Sequence, residues 1–210
     1  MKKLLLLSLI FNFVIIVVNA QNFEGKMTFK NTYTSKLPQV TNEQWNTMMG
    51  SIQEYWIKDS AYKSVTNGTI MQWQLYNPVE NRLYNKMSNS ESVLWMDGDK
   101  NDDEVISAVI NKGVVEIQGY LCDELILTCK KSVQKYYFNS AFKVDASLFI
   151  KHKFGNWYDI VSRTNSLPLK SYIQNAQFIM EGIVTEITPM KLEASLFELP
   201  EGIPIAKMPE

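Results

Sequence analysis

Histidine occurs once in this 210-residue chain, at His152, and cysteine twice, at Cys122 and Cys129. One imidazole excludes His-rich metal sites and makes any Ser-His or Cys-His pair depend on a single residue. G-x-S-x-G, H-E-x-x-H and glycine-rich phosphate loops are all missing. No catalytic residue, metal ligand or cofactor is therefore assigned, and a non-enzymatic role is expected. An excess of either charge is missing too, with 21 basic against 22 acidic residues, so nothing resembles the basic stripe of a nucleic-acid binder. Low-complexity linkers and internal repeats are also lacking. About 190 residues beyond the N-terminal segment suit one domain, which would bury roughly 70% of its unfolded surface without disulfide staples.

What is present begins with MKKLLLLSLIFNFVIIVVNA. Lys2 and Lys3 precede an apolar run from Leu4 to Val18, and Val18 and Ala20 stand at the export-peptidase positions. This charge, core and small-residue order reads as a secretory signal peptide over residues 1–20. The run is shorter than the roughly 20 residues a membrane span needs, and no basic stop-transfer cluster follows it. No cysteine stands at the cleavage point for lipid attachment. The mature chain is read as residues 21–210, one domain, exported to the periplasm or beyond the cell and not integral to a membrane. Loss of Lys2 and Lys3 leaves 19 basic and 22 acidic residues, a formal charge of −3.

Period 2 dominates the rest. Phe23, Gly25, Met27, Phe29 and Tyr33 alternate with Glu24, Lys26, Thr28, Lys30 and Thr32, the pattern of a half-buried strand. In TNEQWNTMMGSI, Thr41 and Gln44 form a capping-box pattern. Trp45, Met48, Met49 and Ile52 follow at helical spacing on one face, leaving Asn42, Glu43, Asn46 and Thr47 for solvent. Strand-like runs then recur between turn signals: EYWIKD, AYKSVT, Asn67-Gly68, TIMQWQLY, Asn77-Pro78, NRLYNKM, ESVLWMD, an acidic turn, and EVISAVI before Lys112-Gly113. Such spacing predicts an antiparallel meander. A second helical patch is expected near residues 146–163, with Asp145 as its cap.

Two motifs invite a chemical reading. In DGDKNDDE, Asp97, Asp99, Asn101 and Asp103 alternate as in a calcium loop. The positions requiring Gly and Glu hold Asp102 and Ala108 instead, so a solvated hairpin tip is the better reading. In GYLCDELILTC the two cysteines are seven residues apart, with no Gly, Pro or Asn between them to turn the chain. Seven extended residues span roughly 23 Å, whereas bridged cysteines need Cα atoms about 4.4–6.8 Å apart. Their odd separation points them to opposite faces, so we read two structural thiols, Cys129 toward the core and Cys122 toward the other surface. His152, between Lys151 and Lys153, is read as a surface residue. Asn67-Gly68-Thr69 matches a glycosylation sequon but is read as a turn.

Ile117, Gly119, Tyr120 and Cys122 form an I-x-G-Y-x-C motif, and Tyr136, Tyr137 and Phe138 stand where a second strand should follow. In this order the chain resembles the exported Bacteroidota families labelled DUF4412 and GLPGLI. Pro168 and Leu169 match a "PL" strand, while Phe197, Leu199, Pro200 and Gly202 match a terminal F-x-L-P-x-G. NSLPLKS replaces the GLPGLI signature itself, which favours the DUF4412-like side. The resemblance spans most of residues 23–205. It implies a fold like that of the lipoprotein carrier LolA: mainly β (α+β), one strongly curved antiparallel sheet or half-open β-barrel, two short helical segments covering its concave face.

Two functions follow as expectations. In one, a binding module or carrier holds a lipid or other apolar ligand in the concave cavity, whose wall would comprise Met27, Phe29, Trp45, Met48, Met49, Trp56, Trp73 and Trp95, with the Trp45 helix as gate. In the other, an envelope structural or interaction module binds a protein partner and no small ligand. N-terminal sequencing of the exported protein should start at Gln21; a membrane fraction that retains residues 1–20 would contradict the signal-peptide reading.

Overall fold

The structure, a computed structural model, describes residues 22–209; the signal-peptide segment lies outside the described residues. Alternation becomes strand almost throughout. The elements are β1 (Gly25–Ser35), α1 (Asn42–Met49), β2 (Ile52–Lys58), β3 (Ala61–Thr66), β4 (Met71–Asn77), β5 (Arg82–Met87), β6 (Val93–Asp97), β7 (Val105–Ile117), β8 (Tyr120–Cys129), β9 (Val133–Lys143), α2 (Trp157–Thr164), β10 (Ser166–Gln174), β11 (Phe178–Pro189) and β12 (Ile205–Lys207). They form one sheet in the order β12-β6-β5-β4-β3-β2-β1-β11-β10-β9-β8-β7. Every pairing is antiparallel except β12 with β6. β1 joins the two meanders by pairing with β2 on one side and β11 on the other. The order ends at β12 and β7 without closure, so this is a curved open sheet, mainly β, with two short helices.

Turn chemistry sets the register. Gln118 and Gly119 take φ of 51° and 81° between the paired residues Ile117 and Tyr120. A two-residue hairpin loop with positive φ matches the right-handed strand twist, and glycine reaches that region without a Cβ penalty. The G-Y of the family-like motif is thus a turn followed by a strand start. Lys112-Gly113, read from sequence as a turn, instead lies within β7. Gly113 has φ 60° where the register shifts between Asn111 and Val115, so it marks a bulge that the strand survives.

The inner face is filled mostly by one segment, residues 145–164. Asp145 caps it as expected, accepting from the Ser147 amide at 2.9 Å, but the chain first makes short 3-10 turns at Ala146–Phe149 and Phe154–Asn156 before α2. Phe149, Val161 and Leu167 join Met27, Ile57, Tyr62, Tyr76, Leu83, Leu169 and Val184 in the main core. Ile160 packs on a second cluster of Leu125, Leu127, Cys129, Tyr136 and Phe138. Fully burying each such large side chain stabilises the fold by about 1.5–3 kcal/mol. On the opposite face, Phe197, Leu199 and Ile203 lay the C-terminal strap over Leu75, Tyr84 and Val93.

Helix α1 has the capping box read from its sequence, Thr41 Oγ1 accepting from the Gln44 amide and Gln44 Oε1 from the Thr41 amide. Its orientation differs from expectation. β2 accompanies β1 only to Lys30, and beyond that point α1 takes its place. Asn42 Oδ1 accepts from the Ser35 amide at 2.8 Å and Asn46 Oδ1 from the Tyr33 amide at 3.2 Å. The face assigned to solvent therefore satisfies strand amides that would otherwise be unpaired. Trp45 bends onto Phe178 at the rim of the inner face, ring centroids 4.9 Å apart.

The acidic turn is more than a solvated tip. Asp103 Oδ1 accepts from the Lys131 amide at 2.6 Å, and the buried Asn156 donates to the Asp103 carbonyl and accepts from Asn101. Among the described residues, no group of three or more potential metal ligands occurs, and no helix is long and apolar enough to cross a membrane.

β8 runs unbroken through both cysteines, and both thiols are free and buried. Cys122 is wholly buried rather than surface-facing, because Ile117 and Phe142 enclose its end of the sheet. Burial raises both thiol pKa values. Two thiols per chain should titrate after denaturation without reductant, and neither should react quickly in the folded protein; a count of zero would contradict the continuous strand.

Candidate functional site

A largely apolar cleft lies on the inner face where the residue 145–164 plug stops. Odd-numbered side chains of β1 point inward, and their cross-strand partners share that face. Met27 pairs with Tyr55, Phe29 with Gln53, and Asn31 with Gly182. Together with Leu167, Pro168, Ser171 and Met180, and with Trp157 above them, these residues line a cleft of about 120 Å³. Its floor depends on a glycine, since a Cβ at Gly182 would come within 2.6 Å of Asn31 Oδ1.

The cleft is apolar at one end and amide-rich at the other. Met27, Phe29, Leu167 and Met180 supply the apolar wall. Asn31 Nδ2 donates to Gln53 Oε1 at 3.3 Å, and Gln53 Nε2 donates to Ser64 Oγ at 2.8 Å. Neither acid nor base lines the space. Tyr55 and Trp157 meet the space with ring carbons, while the Tyr55 hydroxyl and the Trp157 indole N–H are enclosed by protein and have no hydrogen-bond partner. Burial, with Tyr62 alongside, raises the Tyr55 pKa well above 10, so its hydroxyl remains a donor.

Beside the cleft an aromatic column anchors the plug. Tyr62 and Tyr76 are opposite one another on β3 and β4, their rings stacked at 5.4 Å. His152 stacks on Tyr76 at 3.9 Å, and its Nε2 lies 2.9 Å from the Tyr62 hydroxyl. The lysines on either side of it face solvent while His152 is 0% exposed, so the reading of a surface histidine is corrected. The sequence signal for this was the three-residue spacing of Phe149 and His152, which puts both on one side of a 3-10 turn. Burial lowers the His152 pKa to about 4, opposed by the nearby Gly98 carbonyl. The neutral ring shares a hydrogen bond with the Tyr62 hydroxyl at Nε2, while Nδ1 is buried without a well-formed hydrogen bond.

Of the eight side chains expected to form the cavity wall, Met27 and Phe29 line the cleft. Trp45 sits at the rim on Phe178, its Nε1 donating to Ser35 Oγ at 3.2 Å, and Met48 and Met49 ride on the same helix away from the cleft. Trp56, Trp73 and Trp95 point to the opposite face. There Lys26 lies 5.4 Å from the Trp56 ring, Lys63 5.7 Å from Trp73, and Arg82 3.9 Å from Trp95 with Lys207 at 5.2 Å. Cation–aromatic contacts of this kind suit a half-wet surface. Reasoning from sequence missed Tyr55, Trp157, Asn31, Gln53 and Ser171 because each is individually unremarkable; the odd-position parity of β1 with Gln53 and Tyr55 was the only available pointer.

Fold and site together define an open, curved, mainly antiparallel sheet with a plugged inner face and a residual apolar cleft on it. No protein-family model and no curated protein matches the chain. Among solved structures it is similar to PNGF-II, solved in the P21 space group, at 11% identity and a TM-score of 0.48 over 89% of this chain; the chain spans 31% of that structure's length.

The buried histidine generates a pH dependence. A ring with a folded pKa of about 4 and an ordinary value of 6.5 is protonated more readily when unfolded, so stability rises with pH between those values. Its contribution is complete above about 6.5 and is lost as pH falls to 4, on the order of 3 kcal/mol. Denaturant melts from pH 7 to 4 should show His152→Gln losing less stability than the parent over that interval; parallel curves would refute a neutral buried His152.

Proposed function

We propose that this chain is an exported, non-enzymatic envelope protein of the DUF4412-like kind, which binds or carries a lipid or other apolar ligand in the cleft beneath Trp157. The observation that carries this reading is the cleft itself. Protein interiors pack to crystal-like density, and an unfilled apolar space sacrifices dispersion contacts and stability. A plug that stops short of Met27, Phe29 and Met180 leaves such a space of about 120 Å³. Two of those three are methionines, which adapt to ligands of varied shape. Its cover is Trp157 of α2, so the gating role expected of Trp45 passes to Trp157. Export rests on the pattern of residues 1–20.

A second reading, an envelope interaction module without a small ligand, is favoured by one different observation. β7 is a 13-residue strand at the end of the sheet, with Ile106 67% and Val109 53% exposed. An unpaired, apolar edge is a ready partner for another strand.

Native mass spectrometry of protein purified from the periplasm separates the two: lipid-sized adducts support the carrier, and a clean mass supports the interaction module. Ser171→Leu, which fills the cleft from its floor, should abolish uptake of a fluorescent lipid probe while shifting Tm by only a few degrees, about what a 1 kcal/mol change produces. Unchanged uptake would place binding elsewhere.

A further inference from the structure

Resting on the reading of β7 as an interaction edge, we propose that its partner is a second copy of this chain, joined β7 to β7 in antiparallel pairing about a two-fold axis near Ala108. Among the described residues β7 is the last strand of the order, with β8 on one side and no strand on the other. Residues 106–114 are exposed without interruption, on both faces of the sheet. The opposite end is treated differently: there β12, only three residues long, covers β6 and carries Lys207. Short strands, charges and proline are the devices that keep sheet edges from pairing. β7 has 13 residues and no proline, and its residues 105–111 carry no charge.

The pattern of side chains selects a second copy over an unrelated strand. Ala108 and Ile110 oppose Leu127 and Leu125 of β8, and those leucines pack with Ile160 in the second core cluster. Ile106, 67% exposed, and Ile110, 39% exposed, share that inner face by parity. A two-fold axis normal to the sheet keeps inner face beside inner face. Ile110 of one copy then meets Ile106 of the other, and the two leucine clusters become continuous. At the axis the small Ala108 side chain faces only itself. Charge fits the same arrangement. The strand is preceded by Asp102, Asp103 and Glu104 and reaches Lys112 toward its other end, so antiparallel pairing brings each Lys112 to the acidic end of the other copy. Glu104 and Lys112 already have neighbours in Lys130 and Asp123, but side chains 66% and 78% exposed have room for another. Beyond Lys112 the bulge at Gly113 bends the strand. Pairing is thereby limited to about residues 104–112, a small interface of the weak, concentration-dependent kind.

Sedimentation equilibrium of the exported protein tests this. The mass should double as concentration rises through about 1–100 µM, as expected of a small interface. Lys112→Glu and Glu104→Lys should each raise the dissociation constant of the dimer about threefold to tenfold, and the double variant should recover most of that loss. Within one chain the two positions lie about 26 Å apart along the strand, so recovery can come only from contact between copies. Ala108→Cys should form a disulfide-linked dimer on mild oxidation, since opposed antiparallel residues have Cα atoms about 4.5–5.5 Å apart; Val114→Cys should not. A dimer insensitive to the charge variants, or one linked no faster by Ala108→Cys than by Val114→Cys, would place the interface elsewhere and overturn the inference. A monomer at every concentration overturns it too, and amide exchange then decides the reading beneath it. Fast exchange of the β7 amides that point away from β8 leaves the edge to a different partner, whereas slow exchange means that the edge is covered and the interaction reading falls as well.

Discussion

An open sheet that curls must have its inner face covered, and here residues 145–164 supply most of that cover. What seats them is the stack of His152 on Tyr76 at 3.9 Å, with Tyr62 bonded to the same imidazole. The column fixes the 3-10 turns over β3 and β4, which in turn sends α2 across the sheet toward the Leu125 and Leu127 cluster. Asn156, in the left-handed region at φ 62°, holds the bend by donating to Asp103 and Cys129. The neutral state of one histidine thus couples the position of the plug to the two meanders it bridges.

The cleft exists because the plug ends where β1 and β11 continue. Trp157 reaches over it without an indole partner, and Tyr55 rises from below in the same condition. A core designed only for stability would satisfy or replace both groups. Both polar atoms are enclosed by protein, while the open space beside them is walled by Met27, Phe29 and Met180.

On the other face the sheet meets a different requirement. The strap through Phe197, Leu199 and Ile203 covers Leu75, Tyr84 and Val93 and leads into β12, which pairs with β6. Trp56, Trp73 and Trp95 lie on this side beneath lysines and arginine. Both faces of β3 to β6 therefore carry large apolar residues, one set under the plug and the other under the strap and its cations.

That double burial explains which parts were legible in the sequence. Alternation determines that Tyr55 and Trp56 point opposite ways, and that Met27 and Phe29 point the same way, because the pleat has period 2. The capping box at Thr41 and the turn at Gln118-Gly119 are likewise local, encoded in hydroxyl spacing and in tolerance of positive φ. Alternation cannot determine which face is the inner one when both are apolar, so the tryptophans were placed inside on hydrophobicity and lie outside. Nor could it find His152, since 3-10 turns are too short for an amphipathic period and its lysine neighbours face water. Only the tertiary structure decided where the plug ends, and with it the cleft. Sequence spacing specifies the directions of side chains within an element, whereas an empty space is defined by where separate elements fail to meet.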